Sequence, residues 1–140
     1  VTFGVILVTL VGQGLTLAPL IRRLKLHADH DEEVEEVTAR HGKHYLERIF
    51  TPAELEYCGK RAESLAGRFA AKEAVAKALG CGIGDVTWKE IEILGDEQHA
   101  PTLTLHGAAE SKAQELGLTI WSVSISHSQS HSVAFVVAIG

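Results

Sequence analysis

Cysteine and basic residues are scarce in this sequence, and their scarcity excludes several classes of protein. The chain contains two cysteines, Cys58 and Cys81, too few for a disulfide framework and typical of free thiols in a reducing cytoplasm. Its 13 basic residues are outnumbered by 18 acidic ones, for a formal net charge of −5, which argues against a nucleic-acid-binding surface. The 140 residues suffice for one globular domain. We expect a cytoplasmic protein without a nucleic-acid partner.

Charge is also missing from the first 21 residues, VTFGVILVTLVGQGLTLAPLI, which precede the basic stretch RRLK. An apolar run of about 20 residues has the length of a membrane span with a basic cytoplasmic end. The alternative is a buried strand and turn, because Gly12, Gly14 and Pro19 interrupt any long helix. The chain opens on Val1 rather than Met, as expected of a piece of something longer.

The segment TLVGQGLTLAPLIRRLKL resembles the last membrane span of cation/proton antiporters, and residues 1–25 would contact a membrane only if they act as such a span. Composition divides the chain into an apolar N-terminal segment over 1–26, an acidic linker over 27–36 and a folded domain over 37–140. The domain places helices first and strands later, joined by short turns, which is typical of an α+β fold with an antiparallel sheet.

Within the domain, turn and capping signals delimit the elements. A helix starts at Pro52, with Thr51 as its N-cap and Glu54 completing a capping box. Gly80 ends the next helix, and a change of phase near Lys89 predicts a β-bulge. We predict further helices over 34–48, 64–79 and 107–116, and strands over 86–94, 102–106, 120–126 and 133–139.

The alanine-rich helix over 64–79 carries a dense set of charges. Residues four apart share a helix face, so Phe69, Glu73 and Lys77 form one line. Arg68 and Lys72 form the adjacent line. One interpretation is a surface helix whose Glu73–Lys77 pair adds about 0.2–0.5 kcal/mol. The other is a carboxylate that holds Mg²⁺ while lysines neutralise phosphate oxygens beside the loop GCGIG. Spacing alone favours the surface helix.

Three motifs together carry a resemblance that favours the second interpretation. RIFTPAELEYC, SLAGRFAAKEAVAKALGCGIG and WSVSISHS resemble the holo-acyl-carrier-protein synthase family, the small phosphopantetheinyl transferases of fatty-acid biosynthesis, over residues 37–139. The resemblance implies a phosphopantetheinyl transferase-like α+β fold, with helices packed on an antiparallel sheet. It also implies transfer of 4′-phosphopantetheine from coenzyme A to a serine of apo-acyl carrier protein, with Mg²⁺ as cofactor and a homotrimer as the assembly.

The same resemblance implies roles for individual residues. Glu73 matches the catalytic Mg²⁺ ligand of the family. Lys77 matches the lysine that meets the phosphate and the attacking hydroxyl. The remaining matches line the coenzyme A pocket: Arg68, Phe69, Lys72, Gly80, Gly82, Ile83 and His127.

The N-terminal part departs from the family pattern. A second Mg²⁺ ligand, an aspartate after a short G-I-D strand, should fall near His27 or Ala28, and neither is an aspartate. Asp29 and Asp31 could replace it only if the register slips. The helix that should dock the acidic carrier protein opens with glutamates instead of basic residues. The resemblance therefore implies an incomplete metal site with weakened or absent activity, in a joined or misassembled sequence or a natural fusion.

Three alternative functions stay open at this point. A catalytically inactive relative would bind coenzyme A without turnover. Paired histidines such as His27 with His30, or His127 with His131, have the spacing of a metal-binding module. A membrane-anchored fragment would take its role from residues 1–25.

Overall fold

The computed structural model describes residues 6–13, 42–59, 61–128 and 131–140 of the chain. These residues form helices and two antiparallel sheets. Residues 42–49 form helix α1. The other elements are β1 (Ile6–Gln13), α2 (Pro52–Cys58), α3 (Ala62–Ala78), a 3-10 turn (Trp88–Glu90), β2 (Ile91–Gly95), β3 (Pro101–Leu105), α4 (Gly107–Glu115), β4 (Ile120–His127) and β5 (His131–Ile139). The predicted α+β architecture is confirmed.

The main sheet has the strand order β1-β5-β4, and both pairings are antiparallel. Helix α3 packs across β5 and β1. Because side chains alternate along a strand, one face of β5 is buried in the core under α3 and the other is half-buried. The buried residues of β5 are Ser132, Ala134, Val136 and Ala138.

Strand β1 pairs with β5 over its whole length, from Ile6 opposite Ala138 to Gln13 opposite His131. These residues are a strand, so the expected membrane span over 1–25 has no support in the structure. The described residues include no helix with the length and apolarity needed to cross a membrane. The strand of the alternative interpretation is present. The turn predicted after this strand and the acidic linker over 27–36 lie outside the described residues. The cytoplasmic location stays a prediction.

The second sheet is the hairpin of β2 and β3, with Ile91 opposite Leu105 and Gly95 opposite Pro101. The hairpin is confirmed, but the β-bulge predicted near Lys89 is wrong. The phase change comes from the 3-10 turn Trp88–Glu90. Three residues per turn shift the side chains out of the strand alternation, so the strand begins only at Ile91.

The helix ends follow the predicted capping signals. Thr51 accepts a hydrogen bond from the Glu54 amide, and the Glu54 carboxylate accepts one from the Thr51 amide, which completes the predicted capping box. At the end of α3 the Cys81 amide donates to the Ala76 carbonyl, and the Gly80 amide donates to Lys77. This Schellman motif requires the left-handed φ of +69° at Gly80, which glycine adopts without steric cost.

The small residues of α3 explain how closely the helix lies on the sheet. A Cβ placed on Gly67 would come within 2.6 Å of Ile125 Cγ2 on β4, so only glycine fits there. One turn further on, Ala71, Ala74 and Ala78 are fully buried. Side chains this short let the helix backbone approach the sheet. The alanine content of α3 is therefore a packing requirement of this fold.

Candidate active site

Glu73 and Lys77 lie one turn apart on the side of α3 that points away from the main sheet. Glu73 is half-buried and Lys77 is exposed. Among the described residues no ion pair joins the two side chains. The interpretation of a Glu73–Lys77 surface pair is therefore wrong, and both charged groups face outward together. The catalytic roles that the resemblance implies for them stay predictions.

Lys72, next to Glu73, points in a different direction and is fully buried. Its Nζ lies 2.8 Å from Glu54 Oε2. It also donates to the carbonyls of Trp88 at 2.8 Å and Ile91 at 2.6 Å. Burial lowers the pKa of Lys72, and the Glu54 carboxylate opposes that shift. All three ammonium donors are thus engaged inside the protein, so this arrangement leaves none for the ligand contact that the resemblance implies.

Arg68 lies one turn before Lys72 and is 8% exposed. Its Nε donates to the Ile93 carbonyl at 2.9 Å, and its Nη1 donates to the Ser64 carbonyl at 3.3 Å. The guanidinium carbon lies 4.5 Å from the centre of the Tyr57 ring, within the range of a cation–π contact. These contacts fix the guanidinium plane with one edge toward a surface cavity.

That cavity brings together two of the predicted ligand-binding residues, Arg68 and His127. It has a volume of about 270 Å³. Arg68 comes from α3 and His127 from the end of β4, 59 residues later in the chain, so the fold assembles this site. The lining residues are Tyr57, Arg61, Glu63, Ser64, Arg68, His99, Pro101, Ile125 and His127.

Tyr57, Arg61 and His99 are among the cavity residues that the sequence reasoning missed. Tyr57 Oη lies 3.2 Å from His99 Nδ1, and Arg61 donates to the Tyr57 carbonyl at 2.6 Å. The spacing of Tyr57 and Arg61 across the end of α2 was a usable local signal. No local signal points to His99, because only the β2–β3 hairpin carries its turn to the end of α2.

Phe69 forms an aromatic pair with Trp88. Their ring centroids lie 4.8 Å apart with an interplanar angle of 28°. Both rings pack against the small hydrophobic cluster that includes Phe50 and Leu65. Phe69 therefore contributes to packing between α3 and the 3-10 turn, and its predicted contact with coenzyme A stays a prediction.

The glycine-rich loop lies apart from the first cavity. Gly82 and Ile83 are exposed. Gly80 lines a second cavity of about 590 Å³, between the end of α3 and helix α4. Glu73, Lys77 and Lys72 line neither of these two cavities. One chain thus presents the predicted site residues on separate surfaces.

The described residues offer Mg²⁺ one carboxylate at the predicted place, that of Glu73. They contain no group of three or more His, Cys, Asp and Glu side chains that could hold a metal. A histidine-based metal module therefore has no support among them. Mg²⁺ is commonly held by one or two carboxylates together with substrate phosphates and water. An outward-facing Glu73 supplies the one carboxylate that such a site needs at the least. Asp29 and Asp31 lie outside the described residues.

Comparison with known proteins shows the family. The profile of the 4′-phosphopantetheinyl transferase superfamily matches residues 31–136. A curated holo-acyl-carrier-protein synthase of Herpetosiphon aurantiacus is 46% identical over 116 residues, which cover 78% of this chain and 91% of that protein. The chain therefore belongs to the 4′-phosphopantetheinyl transferase superfamily.

Solved structures agree with this assignment. The crystal structure of the Helicobacter pylori holo-acyl-carrier-protein synthase in complex with coenzyme A has a TM-score of 0.65 and 28% identity, covering 99% of this chain and 100% of that one. The Neisseria meningitidis holo-acyl-carrier-protein synthase has a TM-score of 0.65 and 33% identity, covering 97% and 95%. The fold predicted from the resemblance is confirmed.

Proposed function

We propose that this chain carries out the holo-acyl-carrier-protein synthase reaction, the transfer of 4′-phosphopantetheine from coenzyme A to a serine of apo-acyl carrier protein. The family match and the 46% identity to a curated enzyme of that activity support this function over the inactive and membrane-anchored alternatives. The structural observation that best supports this function is the cavity lined by both Arg68 and His127. Only the fold brings these two residues together.

The cavity provides the nucleotide end of the proposed site. Arg61 and Arg68 supply positive charge to its lining, Glu63 supplies one negative charge, and His99 and His127 supply imidazole nitrogens. Guanidinium groups bind phosphate oxygens through paired, charge-assisted hydrogen bonds. A cavity of about 270 Å³ suits a phosphate group and part of a base better than a whole coenzyme A molecule. We assign it to the phosphorylated nucleoside of coenzyme A.

The transfer itself would take place on the outward side of α3. The serine hydroxyl attacks the phosphorus that bears pantetheine, a new P–O bond forms, and the bond to adenosine 3′,5′-bisphosphate breaks. The serine proton passes to water as the new phosphodiester forms, and adenosine 3′,5′-bisphosphate departs as the leaving group. Lys77 places an exposed ammonium one turn from the Glu73 carboxylate, where it can neutralise phosphate oxygens and orient the hydroxyl. Positioning and charge neutralisation supply most of the catalysis in such reactions.

Glu73 is the residue that would hold Mg²⁺, which would neutralise negative charge on the phosphates of coenzyme A. The described residues supply no second acidic ligand there, so we propose that metal binding depends on the phosphates of coenzyme A. Activity should then need a higher Mg²⁺ concentration than a two-carboxylate site would.

We further propose that the working enzyme is an assembly of several copies, with a homotrimer as the expected state. In one chain the cavity of His127 and the loop of Gly80 lie on separate surfaces, so neighbouring copies would have to complete the site. The face of β5 opposite α3 offers a packing surface for them. It carries three half-buried apolar side chains: Val133, Phe135 and Val137.

The acidic partner would be recognised at helix α1. Lys43, His44 and Arg48 are exposed on its described residues. Lys43 and His44 both lie near Glu47, which reduces the positive potential of this surface. Because steering of an acidic partner depends on net positive charge, we expect weak docking that falls steeply as salt concentration rises.

Mass spectrometry of apo-acyl carrier protein tests the proposed function. The carrier protein is incubated with coenzyme A, Mg²⁺ and this chain, and Glu73→Ala runs beside it. We expect the mass to increase by one phosphopantetheine group, and the increase to disappear with the variant. If coenzyme A binds but no mass increase occurs, the chain is a catalytically inactive member of the family.

A further inference from the structure

The free edge of strand β2 is covered by side chains instead of a neighbouring strand. Among the described residues β2 pairs only with β3, which leaves the backbone groups of its other edge without a ladder. Three side chains satisfy them. The Ile93 amide donates to Glu54 at 2.8 Å, the Ile93 carbonyl accepts from Arg68 at 2.9 Å, and the Ile91 carbonyl accepts from Lys72 at 2.6 Å.

The Glu54–Lys72 ion pair is the centre of this arrangement. Both side chains are fully buried, with 2.8 Å between Nζ and Oε2. Glu54 lies on α2 and Lys72 on α3. Apart from the Thr51 amide at the N-cap of α2, their other partners belong to the 3-10 turn and to β2. One ion pair therefore ties four elements together. Breaking either half would leave a buried charge without its partner.

The rest of α3 offers little to fix its rotation about its own axis. Its core side consists largely of alanine, and such short side chains form shallow ridges that interlock weakly with the sheet. The stripe formed by Arg68 and Lys72 makes directional bonds instead. At about 100° per residue, Glu73 lies roughly 100° and Lys77 roughly 140° around the helix from Lys72, on a different face. We call Arg68 and Lys72 the inner stripe, and Glu73 and Lys77 the outer stripe. The contacts that hold the inner stripe therefore set the direction in which the outer stripe points.

We infer that Lys72, through its ion pair with Glu54, is a positioning residue: it fixes the rotation of α3 and so aims Glu73 and Lys77 at the reacting phosphate. This inference rests on the proposed function and assigns Lys72 a role different from direct contact with coenzyme A. The two roles make opposite kinetic predictions. A residue that binds coenzyme A lowers KM, whereas a positioning residue raises kcat.

The first test is the double variant Glu54→Gln with Lys72→Met, which removes both buried charges and preserves side-chain size. We expect kcat per folded molecule to fall by about tenfold to a hundredfold, since small displacements of catalytic groups have effects of that size. KM for coenzyme A should change by less than about twofold. A rise in KM with unchanged kcat, or no change in either, would overturn the inference. Glu110→Gln, which removes an exposed charge on α4, is the control.

The second test does not depend on activity. In a Trp121→Phe background Trp88 is the remaining tryptophan, and its ring stacks on Phe69 of α3. A rotated helix should expose Trp88, so the double variant should show red-shifted emission and faster quenching by acrylamide than the Glu110→Gln control in the same background. An unchanged Trp88 signal would refute the inference.

The two tests also separate this inference from the proposed function. If the unmodified chain transfers no phosphopantetheine, the proposed function fails and the Trp88 signal alone decides the role of Lys72. If the double variant does not fold, Glu54→Gln alone replaces it, because glutamine keeps an acceptor for the Ile93 amide. The same changes are expected with smaller size, and their absence would again contradict the inference.

Discussion

Two stripes of the same helix carry charged residues with opposite surroundings. On the inner stripe of α3, Arg68 and Lys72 are buried, and their donors are directed at backbone carbonyls and at the Glu54 carboxylate. On the outer stripe, Glu73 is half-buried, Lys77 is exposed, and neither forms an ion pair with the other. On the inner stripe, Lys72 thus uses all its donors to hold the fold, while Arg68 also lines the proposed nucleotide cavity. The outer stripe is left open for chemistry.

This difference shows why charge by itself does not identify a catalytic residue. The same family motif, GRFAAKEAVAK, contains both pairs, and the resemblance assigned ligand contacts to all four. Burial separates them, because a buried ammonium must satisfy all its donors inside the protein. We therefore expect substitutions on the inner stripe to change stability most, and substitutions on the outer stripe to change catalysis most.

Removing the inner charge should have the largest effect. Lys72→Met leaves the fully buried Glu54 carboxylate without its cation, which should lower the free energy of unfolding by about 3–5 kcal/mol. Urea denaturation followed by far-UV circular dichroism measures this loss. Lys112→Met, on an exposed pair, should change stability by less than about 0.5 kcal/mol. Equal losses in the free energy of unfolding for the two variants would contradict the expected difference between buried and exposed charges.

Removing the outer carboxylate should affect catalysis almost alone. We expect Glu73→Gln to lower kcat for transfer by about a hundredfold to a thousandfold, the usual effect of losing one electrostatic contact to the reacting group. Its free energy of unfolding should stay within about 0.5 kcal/mol of the parent. Glu110→Gln, an exposed position on α4, serves as the control for kcat. Retained activity in Glu73→Gln would remove Glu73 from the proposed site.

The close approach of α3 to β4 can be tested at Gly67. An added Cβ would meet Ile125 Cγ2 at 2.6 Å, so Gly67→Ala must displace the helix or the strand. We expect a loss of about 1–3 kcal/mol in the free energy of unfolding, as for overpacked cores. The double variant with Ile125→Val, which removes one methyl group from this side chain, should recover part of that loss. Thermal unfolding measures both variants. Equal unfolding temperatures of the single and the double variant would contradict a clash between residue 67 and Ile125.

The smallest expected effect concerns Glu90, which couples the 3-10 turn to helix α4. Its carboxylate accepts from the Thr87 amide at 2.6 Å and from the Ala108 amide at 2.8 Å, and these bonds lower its pKa below the ordinary 4.5. A lowered pKa stabilises the fold above about pH 4.5, and this contribution is lost as acid protonates the folded state.

Glu90→Gln tests that contribution. It should cost less than about 1 kcal/mol at neutral pH, because the group is partly exposed. The gap between variant and parent should narrow as the pH falls below about 4.5 and close once the pH passes the lowered pKa of Glu90, because the folded parent then loses its ionised carboxylate. Urea unfolding at several pH values measures the gap. A gap that stays constant from neutral to acidic pH would show that the Glu90 charge contributes nothing.

Local signals predicted the elements of the chain well where one rule dominates. The capping box at Thr51 and Glu54, the end of α3 at Gly80 and the β2–β3 hairpin all follow from residues close in sequence. The prediction near Lys89 was wrong because a 3-10 turn and a bulge both interrupt strand alternation. The apolar run before RRLK was equally ambiguous. A strand paired with the hydrophobic β5 and a membrane span need similar residues.

The sequence by itself determined the family, the order of elements and the presence of Glu73 and Lys77 on one line of a helix, because motifs and helix periodicity are local properties. Only the tertiary structure decided which charges are buried. It paired Lys72 with Glu54, placed Arg68 beside His127, and brought His99 next to Tyr57. Each of these pairs joins residues from different elements, and desolvation depends on every atom packed around a group. Burial therefore separated Lys72, whose donors are all used inside the protein, from Lys77, which is left open for chemistry.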